Sequence, residues 1–321
     1  MNFKNLLLLF VFALGLNSCK NDLEINAPYE DIAVVYGFLD QNQPVQYIRI
    51  QKLYQNNANI TTAEGAKLTD SLYFDSLVVT LIQGSNSYPC TKIDTIYKDS
   101  GTFGNNKHYL YACSIPKNNN IDERYQLLIY HPKSGKTFKS STSIVKDAQI
   151  EARTIPIRLT PEGHAFPFRF MSGKNSFLYD LIIRFKYAET DKTDNKTENK
   201  YYDYYVRRSG EYTYREGVTN SEIITSQNFL NSLKEAIKRD NNKTRKVIGI
   251  EFIAYGGSKE YKELLDLSKP NTSIVQKNTE YSNIENGKGI FTSRNYTVQT
   301  NMSLDASSIN AIVQTVPNFT N

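Results

Sequence analysis

Between residues 28 and 147 the chain is cut into short runs of strand-forming residues, each closed by turn-forming ones, and this punctuation limits the fold more than any other feature. The expected strands are Ile32–Leu39, Val45–Tyr54, Leu77–Ile82, Ser87–Tyr97, His108–Ile115, Tyr125–Tyr130 and Thr137–Ser143. In the second run Val45, Tyr47, Arg49 and Gln51 share one face while Ile48 and Ile50 take the other, which is the period of a half-buried strand. Gly84, Gly101 and Gly135 fall where turns are needed, and Gln55–Thr69 is a polar loop. Seven short strands at this spacing predict an Ig-like β-sandwich, a fold of roughly 100 residues.

Residues 148–321 predict a second domain, rich in β-structure with two or three short helices, so the chain as a whole is expected to be mainly β. Strand candidates are Glu151–Leu159, Phe177–Ala188, Tyr201–Arg208, Val247–Tyr255 and Gly289–Arg294. Ser226–Asp240 has Phe229, Leu233 and Ile237 at helical spacing, with Thr225 or Ser226 available as a cap. A shorter helix follows Ser258, with Tyr261, Leu264 and Leu265 on one face, and Asp305–Gln314 predicts a last one. The polar run Asp191–Lys200 reads as a solvated hairpin loop between two strands.

Residues 1–18 read as an export signal. Lys4 supplies a positive start, and Leu6–Leu16 is an uninterrupted apolar run of eleven residues. A membrane-spanning helix takes roughly 20, so this run fits the core of a signal peptide. It ends in Leu16-Asn17-Ser18-Cys19, which resembles the bacterial lipobox. The resemblance implies cleavage before Cys19, diacylglycerol on its sulfur and acylation of the new amino group, with residues 19–27 as a lipid tether. Two or three acyl chains hold a protein to a bilayer durably where one does not. Lys20-Asn21-Asp22-Leu23-Glu24 is similar to the acidic surface-export tag of some Bacteroidetes lipoproteins, with Asn21 and Leu23 interrupting it. The expected location is the outer membrane, with the cell surface favoured over the periplasmic side.

Export places the two remaining cysteines in an oxidising compartment. Cys90 and Cys113 are equidistant from the Gly101-Thr102 step, the centre of a turn-rich stretch. A hairpin about that step sets them opposite one another, within reach of a disulfide. The alternative is two buried free thiols. No Cys-x-x-Cys exists to suggest redox chemistry.

Tyr281-Ser282-Asn283-Ile284-Glu285-Asn286-Gly287-Lys288-Gly289-Ile290-Phe291 resembles the late SNI-x-x-G-x-G-x-F segment of a Bacteroidetes outer-membrane lipoprotein family, domain of unknown function forty-two forty-nine. Ala33–Leu39 and Val45–Ile50 are similar to that family's first strands. The resemblance implies a lipid-anchored protein with an N-terminal sandwich, sometimes encoded near TonB-dependent transporters. It brings no catalytic residues with it. The glycines themselves allow positive φ and close backbone approach ahead of a strand.

Other constellations fail on their own chemistry. Ser134-Gly135-Lys136-Thr137 ends like a P-loop but has Tyr130 where the first glycine belongs, and a β-turn accounts for it. His108, His131 and His164 have no second His or Cys at metal-ligand spacing, so no metal or cofactor is expected. The net charge of +5, from 38 basic and 33 acidic residues, is spread along the chain and gives no concentrated face for nucleic acid. Tyr201-Tyr202-Asp203-Tyr204-Tyr205, with Arg207 and Arg208 beside it, is the most unusual cluster. Alternation puts Tyr202, Tyr204 and Val206 on one face and Tyr201, Tyr205 and Arg207 on the other. Aromatic cross-strand packing explains it most simply, and Tyr202, Tyr204 and Arg208 are the candidates for a surface that stacks on sugars or a partner. The function expected from the sequence is a lipid-anchored, non-enzymatic binding or assembly partner, accessory to a β-barrel transporter of the outer membrane. An adhesin or surface structural protein is the second reading, and a hydrolase acting on glycan or peptide the third.

Overall fold

The computed structural model describes residues 32–53, 72–95, 108–116, 124–152, 155–160, 163–212, 218–268 and 280–321. Cys19, the signal segment, the whole Gln55–Thr69 loop and the hairpin tip at Gly101 lie outside them. The described residues belong to one compact unit, and it is mainly β. The seven strands expected first are all present: β1 (Ala33–Asp40), β2 (Val45–Lys52), β3 (Val78–Gln83), β4 (Asn86–Thr95), β5 (His108–Ser114), β6 (Tyr125–His131) and β7 (Lys136–Thr142). β8 (Gln149–Ile150), β9 (Ala165–Met171), β10 (Leu178–Asp191), β11 (Thr197–Glu211), β12 (Thr219–Thr225), β13 (Lys243–Gly257) and β14 (Lys288–Met302) follow. Three helices interleave with them: α1 (Ser226–Ala236), α2 (Lys259–Ser268) and α3 (Ala306–Thr315).

Eleven strands form one sheet in the order β11-β10-β13-β14-β1-β2-β5-β4-β3-β6-β7. Every neighbouring pair is antiparallel except β1 and β14. The half from β14 to β7 curls around a core of Val35, Ile48, Leu81, Leu127, Phe138 and Phe291, all almost fully buried. The curl closes where Lys139 of β7 and Glu285, just ahead of β14, exchange both backbone hydrogen bonds. Apolar alternation drives this: Val79 and Leu81, or Leu127 and Ile129, point in, with less buried residues between them.

The other half of the large sheet lays its inner face against a three-stranded sheet, β12-β9-β8, and against α1 and α3. Phe168 of β9 stacks on Phe252 of β13 with ring centroids 4.6 Å apart. Phe185, Phe229, Leu233 and Ile312 complete this second core. β14 serves both cores, since its head carries Phe291 into the first and its tail carries Met302 into the second.

Several local expectations change. None of the described residues of the expected strand Glu151–Leu159 belongs to a strand; among them Ile157 makes an isolated bridge, to Leu304. β9 and β12 were not expected, and β9 holds a Pro and follows a turn-rich stretch, which hides the inward alternation of Phe166, Phe168 and Phe170. α1 stops at Ala236 because Ile237 turns extended, and Ser226 gives its hydroxyl to the Arg158 carbonyl instead of capping. Asp305 does cap α3, accepting from the Ser308 amide at 2.7 Å.

The late glycine motif is explained by β1. Gly289 has φ +105°, and a Cβ there would lie 2.1 Å from the Val35 carbonyl oxygen. At Gly287 it would lie 2.8 Å from the Ala33 oxygen. Asn283 turns back onto the strand, its side chain donating to the Phe291 carbonyl at 2.7 Å and accepting from the Phe291 amide at 2.9 Å. The segment is a docking edge between two backbones.

Candidate functional site

The tyrosine cluster lies on β11, the last strand of the large sheet, and a bulge decides which way each residue faces. Tyr204 pairs with Ile183 and Tyr205 with Ile182, but Arg207 pairs with Leu181, so Val206 is an extra residue. Beyond it the alternation inverts. Arg207 joins the inner side with Leu181, and Arg208 takes the outer side, its guanidinium 3.4 Å from the Tyr205 ring centroid. Simple alternation had placed Arg207 with Tyr205; the bulge replaces it with Arg208.

Two of the three expected contact residues face inward. Tyr204 makes an edge-to-face contact with Phe229 of α1 at 5.2 Å, and the Tyr202 hydroxyl bonds the Ser232 hydroxyl at 2.5 Å. Burial raises the pKa of the Tyr204 hydroxyl. These two tyrosines hold α1 to the sheet. Arg208 is exposed on the opposite side.

That opposite, outer face carries a ladder no single strand reveals. Tyr205, Ile182, Ile253 and Val298 stand side by side on β11, β10, β13 and β14. Ile182 and Ile253 are 3% and 1% exposed although they belong to neither core. On one side of this row Asp203, Arg184 and Glu251 form the next. Arg184 clasps Asp203 through two bonds of 2.8 and 2.9 Å and lies 4.2 Å from the Tyr201 ring centroid. The bond to Asp203 raises its pKa. On the other side Tyr255 stacks on Tyr296 at 5.7 Å. Tyr201, Tyr205, Tyr255 and Tyr296 are all exposed. The result is two buried aliphatic side chains ringed by four tyrosines, two arginines and a fixed carboxylate, chemistry suited to recognition.

Cys90 and Cys113 form a disulfide across β4 and β5, where they are paired residues with Cα atoms 4.2 Å apart. The P-loop look-alike is the β6–β7 turn, with the Gly135 amide donating to the His131 carbonyl and φ +68° at Gly135. His131 bonds Ser134 and His164 bonds Thr160, each within its own loop. Among the described residues no group of three or more His, Cys, Asp or Glu is arranged to hold a metal, and no helix is long and apolar enough to cross a membrane. A cleft of about 700 Å³ lies between β6–β7, α2 and Tyr281–Glu285. In its wall Arg124 pairs with Glu260 at 3.0 Å and the Tyr281 hydroxyl donates to Glu263 at 3.0 Å.

No family model matches the chain, and no curated protein matches it. Among solved structures it is similar to one described as the crystal structure of calcium binding domain CBD12 of CALX1.1, with 7% identity over 82% of this chain and 98% of that one and a TM-score of 0.17. A score that low assigns neither fold nor ligand.

Proposed function

We propose that this chain is a lipid-anchored outer-membrane protein that acts as a binding or assembly partner of a membrane-embedded β-barrel, a TonB-dependent transporter, and is not an enzyme. The anchor reading comes from the apolar run ahead of Leu16-Asn17-Ser18-Cys19. The transporter link comes from the family resemblance of the Tyr281–Phe291 segment. The observation that carries the binding role is the outer face of β11-β10-β13-β14, where Ile182 and Ile253 sit inside a ring of tyrosine and arginine. Interface hot spots are enriched in tyrosine and arginine, the residues that crowd this face. A lipid on Cys19 confines the face to the plane of the membrane and raises its effective concentration for an embedded partner.

The test is gentle detergent extraction followed by capture of this chain. An outer-membrane β-barrel protein is expected to co-purify, and Tyr205→Ala combined with Tyr255→Ala is expected to weaken it by about thirtyfold, the size of a hot-spot loss. Cys19→Ala is expected to leave the protein unlipidated, either soluble in the periplasm or as an uncleaved precursor. Repeated recovery of a lone monomer that hydrolyses a surface glycan or peptide overturns the proposal in favour of an enzyme.

A further inference from the structure

The geometry points to the free edge of β11 as a strand-addition site for an extended acidic segment of a partner protein. This rests on the binding role proposed above and narrows it to a mode and a ligand chemistry. β11 runs from Thr197 to Glu211 and pairs with β10 alone. Among the described residues no strand pairs with its far side. The opposite end of the sheet is different, because β7 is closed by the bridge between Lys139 and Glu285. A row of unpaired backbone donors and acceptors is a template for another strand.

The charges say which strand. Most ionic groups on β13 and on the β10–β11 hairpin with its turn have their counter-ions: Arg184 with Asp203, Lys186 with Glu251, Lys200 and Arg245 with Glu189, Lys196 with Glu198, and Lys243 with Asp191. Arg207 and Arg208 have no carboxylate partner among the described residues, and both are exposed. As consecutive strand residues they take opposite sides of the sheet, and the bulge at Val206 puts Arg208 rather than Arg207 on the outer one. A strand laid along β11 also alternates sides at every residue. Two consecutive carboxylates on it therefore meet both guanidiniums, one on each face. The same cations repel a second β11 laid antiparallel about this point, since like charges opposite each other destabilise a pair. The site is continuous with the outer face through Tyr205, on which Arg208 lies.

The probe is a fluorescent peptide of alternating threonine and valine with a central Asp-Glu pair, titrated into the full-length lipidated chain in detergent. Binding is expected for this peptide and not for the same peptide with Lys-Lys at its centre. Arg207→Gln and Arg208→Gln are each expected to weaken it roughly fivefold, as for a single solvent-facing ion pair, with unchanged thermal unfolding midpoints. Backbone N-methylation of one alternate set of peptide residues is expected to abolish binding, and of the other set to leave it, because a strand added at an edge uses only one of its own edges. No binding, an affinity indifferent to both arginine substitutions, or equal effects of the two methylation patterns overturns the proposal. So does a concentration-dependent dimer that the arginine substitutions dissolve, which makes a second copy the occupant. Failure here with the β-barrel still co-purifying sinks the edge site and leaves the proposed function standing.

Discussion

Tyr204 and Tyr205 are adjacent in the chain and do different things. Tyr204 packs edge-on against Phe229 under the sheet, while Tyr205 lies outside under Arg208. Tyr204→Ala is expected to cost about 3 kcal/mol of stability, the scale of losing a packed aromatic, read as a shift in urea midpoint. Tyr205→Ala is expected to stay within about 0.5 kcal/mol of wild type, as surface changes do, while weakening the partner contact. The unusual density of tyrosine was legible in the sequence, and so was the alternation up to Tyr205. The inversion at Val206 was not, because a bulge is set by the pairing with Leu181 and Ile182 and not by β11 alone. Glu189 and Arg245 were invisible for the same reason. They meet at 2.8 Å only through the register of β10 on β13, and both are buried. Arg245 also donates to the Lys238 and Pro317 carbonyls, fastening the end of the chain. Burial pushes the Glu189 carboxyl up, but Lys200 and Arg245 outweigh it and hold it below the usual range. A lowered folded pKa means that the cluster stabilises fully above the ordinary glutamate value of about 4.3 and loses that stability as pH falls through the lower one. Arg245→Ala leaves the buried Glu189 carboxylate with Lys200 as its one remaining cation among the described residues and is expected to cost about 3 kcal/mol near neutral pH. Urea midpoints taken from neutral pH downward are expected to fall less steeply in this variant than in wild type below about pH 4.3.

At the scale of elements, antiparallel hairpins were readable and the parallel pair was not. The Cys90–Cys113 bridge followed from symmetry about a turn, since a turn fixes the register of its strands. The β10–β11 hairpin announced itself through its polar tip, where the Asp191 and Asp194 side chains each accept from a backbone amide two residues on. β1 and β14 share no turn and are separated by most of the sequence. Only the glycines hinted at them, by showing that something approaches closely. Gly289→Ala is expected to unhinge this pair, because its Cβ collides with the Val35 carbonyl at an unfavourable φ. Either the protein fails to accumulate or its melting temperature falls by far more than that of Gly135→Ala. The latter also has positive φ, but its Cβ meets nothing within 4 Å, so a cost of about 1 kcal/mol is expected. Equal melting temperatures for the two variants would show that β14 does not depend on the close approach to β1.

The whole molecule depends on β14 more than a division near residue 147 suggests. Composition and strand count divide the sequence there, and the cores largely respect the division: residues up to Ile144 line the first and residues from Ala148 the second. Ile284 and Phe291 break it by returning to the first core from the far end of the chain. The strap between the halves is fastened to the same strand, with the Val145 amide donating to the Ser293 hydroxyl at 3.1 Å and the Asn295 side chain to the Val145 carbonyl at 3.2 Å. A fragment of residues 32–147 therefore contains every strand of an apparent sandwich but lacks the element that closes it. It exposes the parallel edge of β1 and the free edge of β7 together, and it leaves a void where Phe291 filled the space beside Gly37. Open edges and an unfilled core favour association over folding. The fragment is expected to show no cooperative thermal transition by circular dichroism, whereas residues 32–321 unfold in one. A synthetic peptide spanning residues 280–302, added to the fragment, is expected to restore a transition. A fragment that melts sharply by itself would mean that β14 joins a sandwich already complete, and the first core would then count as an independent domain.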